Sequence, residues 1–230
     1  MNFSELKLEM RWGLILGSIG MFIVIILLIV LYFWLKLRKK QIVSKGVDFE
    51  RQINNDLKNY AKAKNFHFIE GGWYKYNTNK IFNLDGLLIT PFGVFAIEIK
   101  YLLGKLSGEI ENQELTLTDN KNKKRKVKNP FKQNYRHIIH LYDLAKFNFP
   151  AYSLVIMPNG TTWNLNEENS WSLIATENTY QALIEDVINT TKIDGNFISK
   201  DQKKALLYAL KNATVDSDEG IKKVREFQNE

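Results

Sequence analysis

The chain has 230 residues, of which 45% are apolar and 25% charged, and this is enough for one compact domain and an additional segment. It has no cysteine, which excludes disulfide bonds and thiolate zinc sites, and its three histidines do not favour a histidine-based metal centre. The net charge of +7 suits a nucleic-acid-binding protein, but residues 46–230 hold 25 basic and 23 acidic residues, so this part is nearly neutral.

An apolar segment near the start of the chain predicts a membrane-spanning helix. Residues 13–35 carry no charge, and their 23 residues can cross a hydrocarbon core of about 30 Å. Trp12, Tyr32 and Trp34 lie near its ends, as interfacial aromatic residues usually do. The basic residues that follow predict a single-pass protein of the cell membrane with its C-terminal domain in the cytoplasm, and they are placed to contact anionic lipid headgroups. They are Lys36, Arg38, Lys39, Lys40 and Lys45.

Hydrophobic periodicity and turn residues predict the elements of the remaining chain. In chain order the first elements are a helix over 47–63, a strand over 66–69 that Gly71-Gly72 ends, strands over 81–90 and 94–103, and a strand over 105–110 with 114–118 as its candidate partner. They are followed by a helix over 130–147, strands over 152–157 and 171–175, and helices over 178–189 and 199–212. Asn129 is a predicted helix cap before Pro130, and Ser199 and Gln202 form a predicted capping box. This order predicts an α/β fold with a mixed central sheet flanked by helices.

The predicted organisation has five parts. They are a short extracytoplasmic N-terminus (1–12), a transmembrane helix (13–35), a basic juxtamembrane linker (36–45), a folded domain (46–212) and a polar C-terminal tail (213–230).

The two strands around the Thr-Pro-Phe-Gly turn at 90–93 contain three charged residues among apolar ones, namely Asp85, Glu98 and Lys100. Glu98 and Lys100 point to one face, because side chains alternate along a strand. A loop of four or two residues pairs Ile89 with Val94 and places Asp85 opposite Glu98. A three-residue loop with a bulge would instead place the two acids on opposite faces.

Charged side chains are rare in buried strands unless another charge or a bound ion compensates them. Two explanations of this compensation are open for Asp85, Glu98 and Lys100. Opposite acids would have Cβ atoms about 4.5–5.5 Å apart and would repel one another. A divalent cation removes this repulsion, because Mg²⁺ binds one or two carboxylates and keeps several waters. Alternatively, Lys100 neutralises one acid in a purely structural pair.

A basic run without any acid extends from Lys121 to Tyr142. Such a run is commonly a solvated loop, but beside a metal site it also suits contact with a phosphate backbone. Its members are Lys121, Lys123, Lys124, Arg125, Lys126, Lys128, Lys132 and Arg136. His137 and His140 follow at i, i+3 and are interpreted as ordinary helix-surface residues.

Four segments in this order resemble the nuclease-related domain (NERD), a branch of the PD-(D/E)xK restriction-endonuclease-like superfamily. They are Gly46-Val47-Asp48-Phe49-Glu50, Leu84-Asp85-Gly86-Leu87-Leu88-Ile89, Gly93-Val94-Phe95-Ala96-Ile97-Glu98-Ile99-Lys100 and Asn129-Pro130-Phe131-Lys132-Gln133. The resemblance covers about residues 45–157 and implies a restriction-endonuclease-like mixed central sheet flanked by helices.

The resemblance also implies roles for individual residues. Asp85 and Glu98 would ligate Mg²⁺ or Mn²⁺, and Lys100 would orient or activate the attacking water and neutralise charge in the transition state. Glu50 would support the metal site from the first helix, and Gln133 would complete the pocket from a later one.

The resulting hypothesis is a membrane-anchored, metal-dependent nuclease that hydrolyses phosphodiester bonds of nucleic acid, with DNA the first expectation, on the cytoplasmic side. The alternative is a non-catalytic, membrane-tethered nucleic-acid-binding or scaffold module. A third hypothesis, a lipid-surface protein, leaves Asp85, Glu98 and Lys100 without a role.

Overall fold

The computed structural model describes residues 8–76, 80–166, 172–195, 197–216, 218 and 222, with the side chains of 8–12, 14–15, 38–43, 166 and 194 left undescribed. Two compact units form, Met1–Val47 and Asp48–Glu230. Several predictions lie outside the described residues, and these concern Trp12, the Arg38, Lys39 and Lys40 side chains, Trp171 and most of the tail after Ala213.

The described residues of the first unit are helical. Helix α1, Leu8–Lys64, begins in this unit and ends in the second one. Its stretch Leu16–Leu37 has a mean hydropathy of 2.8, and none of its apolar window is buried inside the protein. By length and composition this stretch is able to cross a membrane, and it overlaps the predicted span of 13–35.

The second unit combines the last part of α1 with the other elements of the described chain. The remaining helices are α2 (Pro130–Ala145), α3 (Tyr180–Asp194) and α4 (Lys200–Ala213). The strands are β1 (His67–Lys75), β2 (Ile81–Ile89), β3 (Val94–Ile99), β4 (Lys105–Glu109), β5 (Glu114–Thr118), β6 (Lys124–Lys128), β7 (Ala151–Met157), β8 (Thr162–Asn166), β9 (Ser172–Thr176) and β10 (Thr214–Val215).

A six-stranded mixed sheet is the centre of this unit, with the order β10-β1-β2-β3-β7-β9. The strands from β10 to β3 are antiparallel, while β3, β7 and β9 are parallel. Strands β3 and β7 lie inside the sheet and are almost wholly apolar, as expected for strands covered on both faces. The predicted mixed α/β architecture is therefore confirmed.

Helices cover both faces of the central sheet because alternate residues of β2 and β3 point to opposite sides. Leu88, Phe95 and Ile97 pack with the end of α1 and with α3. Leu87 and Ala96, on the other face, pack with α2 and α4. Each face thus has its own apolar core, and the hairpin of β2 and β3 lies between two helical layers.

A second sheet of four strands has the order β6-β5-β4-β8. One of its faces packs its leucines against Phe131, Val155 and Met157. The other face is largely exposed, with Lys124 and Lys126 on the edge strand β6. The predicted pairing of 105–110 with 114–118 is confirmed as β4 and β5.

Several element predictions are confirmed and some are wrong. Asn129 caps α2 by accepting hydrogen bonds from two backbone N–H groups, and Ser199 and Gln202 form the capping box of α4. Gly71-Gly72 does not end a strand, since β1 runs through it to Lys75. The basic run is not only a loop, because Lys124–Lys128 is strand β6. The predicted strand over 94–103 ends at Ile99, and β8 and β10 were not predicted.

Candidate functional site

The hairpin of β2 and β3 has the register that brings the two acids together. Ile89 pairs with Val94 and Gly86 with Ile97, so that one further step places Asp85 opposite Glu98. The turn is tight because the Thr90 backbone N–H donates to the Gly93 carbonyl at 3.0 Å. The bulged three-residue alternative is therefore excluded, and the prediction from an even loop is confirmed.

A close approach of two backbones lies beside Asp85. Glu70 pairs with Gly86 and Gly72 with Leu84, so Gly71 lies between these pairs without a break in register. A Cβ atom on Gly71 would lie 2.5 Å from the Leu84 carbonyl oxygen and 2.6 Å from that of Asp85. Glycine here permits the approach, which is why β1 continues through a dipeptide that usually ends strands.

The two acids and the lysine form one contact group. The Glu98 side chain is wholly buried, and Asp85 is only 7% exposed. The Lys100 Nζ atom contacts Glu98 Oε1 and lies 3.8 Å from Asp85 Oδ2, while its side chain is 35% exposed. The lysine ammonium thus lies between two buried carboxylates and keeps access to solvent.

Asp85 is also anchored to the partner strand. Its Oδ2 atom accepts a hydrogen bond of 2.9 Å from the Ile99 backbone N–H. The Lys100 backbone N–H in turn donates to the Ile156 carbonyl of β7 at 3.0 Å. These bonds fix the backbone on both sides of the group, so the positions of its side chains are set by the sheet.

The electrostatics of the group are those of two acids sharing one cation. Burial raises the pKa of Asp85 to about 6, and the Glu98 charge adds to this, while the Lys100 ammonium and the Ile99 N–H oppose it. Burial acts to lower the pKa of Lys100, but the charges of Glu98 and Asp85 outweigh it and raise that pKa above its ordinary value. A proton at Asp85 and the ammonium are therefore alternative means of reducing the same repulsion.

Glu50 lies within electrostatic reach of this group, on the part of α1 that belongs to the second unit. Burial raises the pKa of Glu50, the Lys100 ammonium opposes this shift, and the charges of Glu98 and Glu70 add to it. This location agrees with the role in supporting the site that the family resemblance implies for Glu50, and that role remains a prediction.

His137 was not predicted as a site residue. It is 7% exposed, and its Nε2 atom lies 3.7 Å from Glu98 Oε2. The interpretation of His137 as a helix-surface residue is therefore wrong. Asn134, His137, Ile138 and Leu141 are all buried on α2, and their i, i+3, i+4, i+7 spacing was the signal that could have placed His137 on the inner face.

A buried amide attaches α2 to the hairpin. Asn134 Nδ2 donates to the Ala96 carbonyl at 2.7 Å and to Ser153 Oγ at 3.1 Å. Because Ala96 and Ser153 lie side by side on β3 and β7, this amide holds the helix across both parallel strands. It thereby fixes the position from which His137 reaches Glu98.

The predicted basic residues fall into three places. Lys121 and Lys123 lie in a turn where both backbone N–H groups donate to Asp119 Oδ1 at 2.9 Å. The residues from Lys124 to Lys128 form β6, and Lys132 and Arg136 lie on α2. Both helical residues and Lys128 line a cavity of about 490 Å³.

Gln133 lines the same cavity, whereas Asp85 and Glu98 do not. Helix α2 connects the cavity with the group that contains Glu98, because Gln133 and His137 are four residues apart and hence neighbours on one side of the helix. The predicted role of Gln133 in completing the acidic pocket stays a prediction.

The donor set fits a hard divalent cation held by few protein ligands. Among the described residues, no three His, Asp or Glu side chains are grouped so that they could hold a metal ion. Two carboxylates are nevertheless sufficient for Mg²⁺, which commonly binds one or two of them and keeps several waters. Glu98 Oε2 is buried and accepts no hydrogen bond from the described residues, so it is a donor atom that a cation could take.

Fold and site together define a class of α/β domains in which one hairpin of a mixed sheet presents two acids and a lysine on one face. Residues 45–158 match the family model of the nuclease-related domain, NERD, so the chain carries a nuclease-related domain. The match extends from the end of α1 through β7 and contains the acids, the lysine and His137. The comparisons with curated proteins and with solved structures found no match.

Proposed function

We propose that this protein is a membrane-anchored, metal-dependent nuclease that hydrolyses phosphodiester bonds of nucleic acid, with DNA as the first substrate to test. The observation that carries the proposal is the convergence of two buried carboxylates and a lysine within a nuclease-related domain. Buried charged groups lower the stability of a fold, and groups of this kind concentrate at functional sites.

Asp85 and Glu98 are the residues that would hold Mg²⁺ or Mn²⁺. When bound, such a cation polarises a phosphoryl oxygen and lowers the pKa of a bound water. Lys100 has the reach for a second task, because its side chain is partly exposed and its ammonium can turn from the acids towards a phosphate. There it would orient the attacking water and neutralise charge that develops in the transition state. Glu50 and Gln133 would support the site from α1 and α2.

The basic residues of β6 and α2 would hold the phosphate backbone without reading sequence. The second unit is nearly neutral overall, so attraction to nucleic acid would come from this local surface and not from net charge. Binding and cleavage should therefore weaken steeply as the salt concentration rises.

The apolar stretch Leu16–Leu37 would anchor the protein in the cell membrane. Its apolar side chains are exposed along the whole stretch, and a bilayer is the environment that would cover them. The basic residues at the end of this stretch and after it, Lys36 and Lys45 among them, would keep the nuclease-related domain in the cytoplasm, and their charge would favour contact with anionic headgroups.

The proposal is tested with the full chain purified in detergent and incubated with plasmid and single-stranded DNA plus Mg²⁺ or Mn²⁺. Asp85→Asn, Glu98→Gln and Lys100→Ala should each lower the cleavage rate by about 100-fold or more. Asp56→Asn, which removes an exposed carboxylate from α1, is the matched control and should retain the wild-type rate. Cleavage that survives Asp85→Asn and Lys100→Ala would contradict the assignment.

A second candidate function is a tethered nucleic-acid-binding module without catalysis. One observation favours it, since Lys100 already bridges both acids and can compensate their charge without any metal. Titration calorimetry separates the two candidates. A nuclease should bind Mn²⁺ in a way that Glu98→Gln abolishes, whereas a non-catalytic module should show no such binding.

A further inference from the structure

A cavity between the second sheet and the start of α2 is distinct from the acidic site, which is the group formed by Asp85, Glu98 and Lys100. It has a volume of about 490 Å³ and is lined by three basic residues and one acid. Lys128 faces the acid, Glu114, across the β5–β6 ladder, so these two charges largely offset each other. Lys132 and Arg136 remain as the cations that give the cavity its positive charge.

Both cations are held in place by contacts to the loop that precedes β5. The Lys132 ammonium donates to the Glu111 carbonyl at 3.2 Å, and the Arg136 guanidinium donates to Gln113 Oε1 at 3.2 Å. These contacts restrict two long side chains before any ligand binds, which lowers the entropy that binding would cost.

The wall of the cavity is itself rigid. Asn129 Nδ2 donates to the carbonyl oxygens of Ile110 and Asn112, each at 2.7 Å, and the Asn129 N–H donates to the Gln113 carbonyl at 3.0 Å. The Asn129 Oδ1 atom caps the helix by accepting from Phe131 at 3.0 Å. One buried residue therefore ties the loop to the first turn of α2.

The cavity is connected to the acidic site through α2. Gln133 lines the cavity, and His137, four residues later, lies 3.7 Å from Glu98. Four residues of helix correspond to a rise of about 6 Å. A nucleic-acid strand whose cleaved bond lay at Asp85 and Glu98 would thus have neighbouring backbone near the cavity.

We propose that this cavity is a binding site for one phosphate group of the nucleic-acid backbone that flanks the cleaved bond. Arg136 and Lys132 supply the charge and the donors, and the amides of Gln113 and Gln133 supply further hydrogen bonds. The substrate class rests on the proposed function, whereas the phosphate site is a property of the cavity alone. Lysines of β6 outside the cavity, such as Lys124 and Lys126, would help to hold the backbone through their charge but do not line a site for a single phosphate group.

The test compares charge removal inside and outside the cavity in the full chain in detergent. Binding of a fluorescent single-stranded oligonucleotide is measured by anisotropy in EDTA, so that neither metal nor cleavage enters. Arg136→Gln and Lys132→Gln should each weaken binding by about tenfold or more, because each removes a charge-assisted hydrogen bond. Lys124→Gln and Lys126→Gln remove the same charge from an exposed strand and should weaken binding about twofold.

Inorganic phosphate provides a second measurement. At constant ionic strength, phosphate should displace the oligonucleotide from the wild type more effectively than chloride does, and Arg136→Gln should remove this difference. Arg136→Lys keeps the charge and should retain part of the affinity, while equal melting temperatures exclude a folding defect. Equal losses for all four glutamine variants, an absence of phosphate competition, or no oligonucleotide binding by the wild type would overturn the proposal.

The outcome is independent of the nuclease assay. If the cavity variants lose binding selectively but no DNA is cleaved with Mg²⁺ or Mn²⁺, the phosphate site stands and the proposed catalysis fails. If DNA is cleaved but the four variants bind equally well, the catalysis stands and the cavity has no such role.

Discussion

At the scale of single residues, the acidic site is a balance between one ammonium group and two buried carboxylates. Lys100 contacts Glu98 and approaches Asp85, and burial makes each negative charge costly. The cost appears in Asp85, whose pKa rises to about 6, while its ordinary value is 3.8. The site thus stores an electrostatic strain that a proton, an ammonium or a divalent cation can each relieve.

Asp85→Asn should change how stability depends on pH when no divalent metal is present. A carboxyl whose pKa is raised in the folded state binds more protons there than in the unfolded chain, so its contribution is fully present below about pH 4 and is lost as the pH rises through about 6. Asparagine at position 85 does not titrate, so the variant does not lose this stability as the pH rises. Relative to the wild type, the variant should gain about 2–3 kcal/mol in free energy of unfolding between pH 4 and pH 8.

Urea unfolding of both proteins in EDTA at pH 4, 6 and 8 measures this difference. Asp56→Asn serves as the control, because it removes an exposed acid from α1 and should leave the pH dependence of the wild type unchanged. A constant difference between the wild type and Asp85→Asn across this range would show that the Asp85 carboxyl titrates normally.

Lys100→Met should raise the affinity of the acidic site for a divalent cation and abolish cleavage. Without the ammonium, the two carboxylates repel one another and the variant should melt at a lower temperature in EDTA. Mn²⁺ should then raise the melting temperature of the variant more than that of the wild type, since no ammonium competes. At a free concentration of about 100 times Kd, binding adds about 2.7 kcal/mol.

The measurement is thermal unfolding with and without Mn²⁺. Lys105→Met, which removes an exposed lysine from β4, is the matched control and should respond to Mn²⁺ as the wild type does. Equal shifts for the wild type and Lys100→Met would mean that the ammonium and the cation do not share one position.

At the scale of elements, the strands β1 and β2 approach closely beside Asp85, and this approach depends on one glycine. Gly71→Ala would place a Cβ atom 2.5 Å from a backbone carbonyl oxygen, and backbone cannot move aside as a side chain can. We expect a loss of about 2–3 kcal/mol in free energy of unfolding. Gly72→Ala is the control, because its Cβ would lie 3.4 Å from the Tyr74 hydroxyl, in ordinary contact, and should cost about 1 kcal/mol or less.

Urea unfolding of the two alanine variants tests this difference between adjacent positions. Because the carbonyl oxygen of Asp85 is one of the atoms that the new Cβ would meet, Gly71→Ala should also lower Mn²⁺ affinity, whereas Gly72→Ala should not. Equal stability of both variants would show that β1 tolerates a side chain at this approach.

The same elements show what the sequence could and could not predict. Alternation along the strands limited the hairpin to an even loop that pairs the two acids or a bulged loop that separates them, and the sequence left this choice open. The caps at Asn129 and Ser199 followed from residue type. β1 was predicted too short because a glycine that permits close approach looks like one that ends a strand. β6 was predicted as loop because its lysines conceal a strand that pairs along one edge only. The contact of His137 with Glu98 depends on how α2 lies across the sheet, which no local pattern records.

At the scale of the whole molecule, charge is distributed unevenly between the two units. Basic residues follow the apolar stretch without an intervening acid, whereas the second unit is nearly neutral and concentrates its basic residues on β6 and α2. The basic residues after the apolar stretch bear on the orientation of the chain in a membrane. The basic residues on β6 and α2 bear on nucleic-acid binding. The two roles can therefore be tested separately, one by labelling and the other by binding.

The orientation of the chain can be measured by labelling, because the natural sequence has no cysteine. Two single substitutions provide one thiol on each side of the apolar stretch. Ser4→Cys lies before it, and Asn178→Cys lies after it, in an exposed turn of the second unit. With the positive charges retained in the cytoplasm, a membrane-impermeant maleimide should label Ser4→Cys in intact cells and Asn178→Cys only after permeabilisation. Labelling of Asn178→Cys in intact cells would place the nuclease-related domain outside, away from the cytoplasmic nucleic acid that the proposed function requires. Release of the chain from membranes by alkaline carbonate would instead mean that Leu16–Leu37 does not span the bilayer, since a spanning helix stays in the lipid under that treatment.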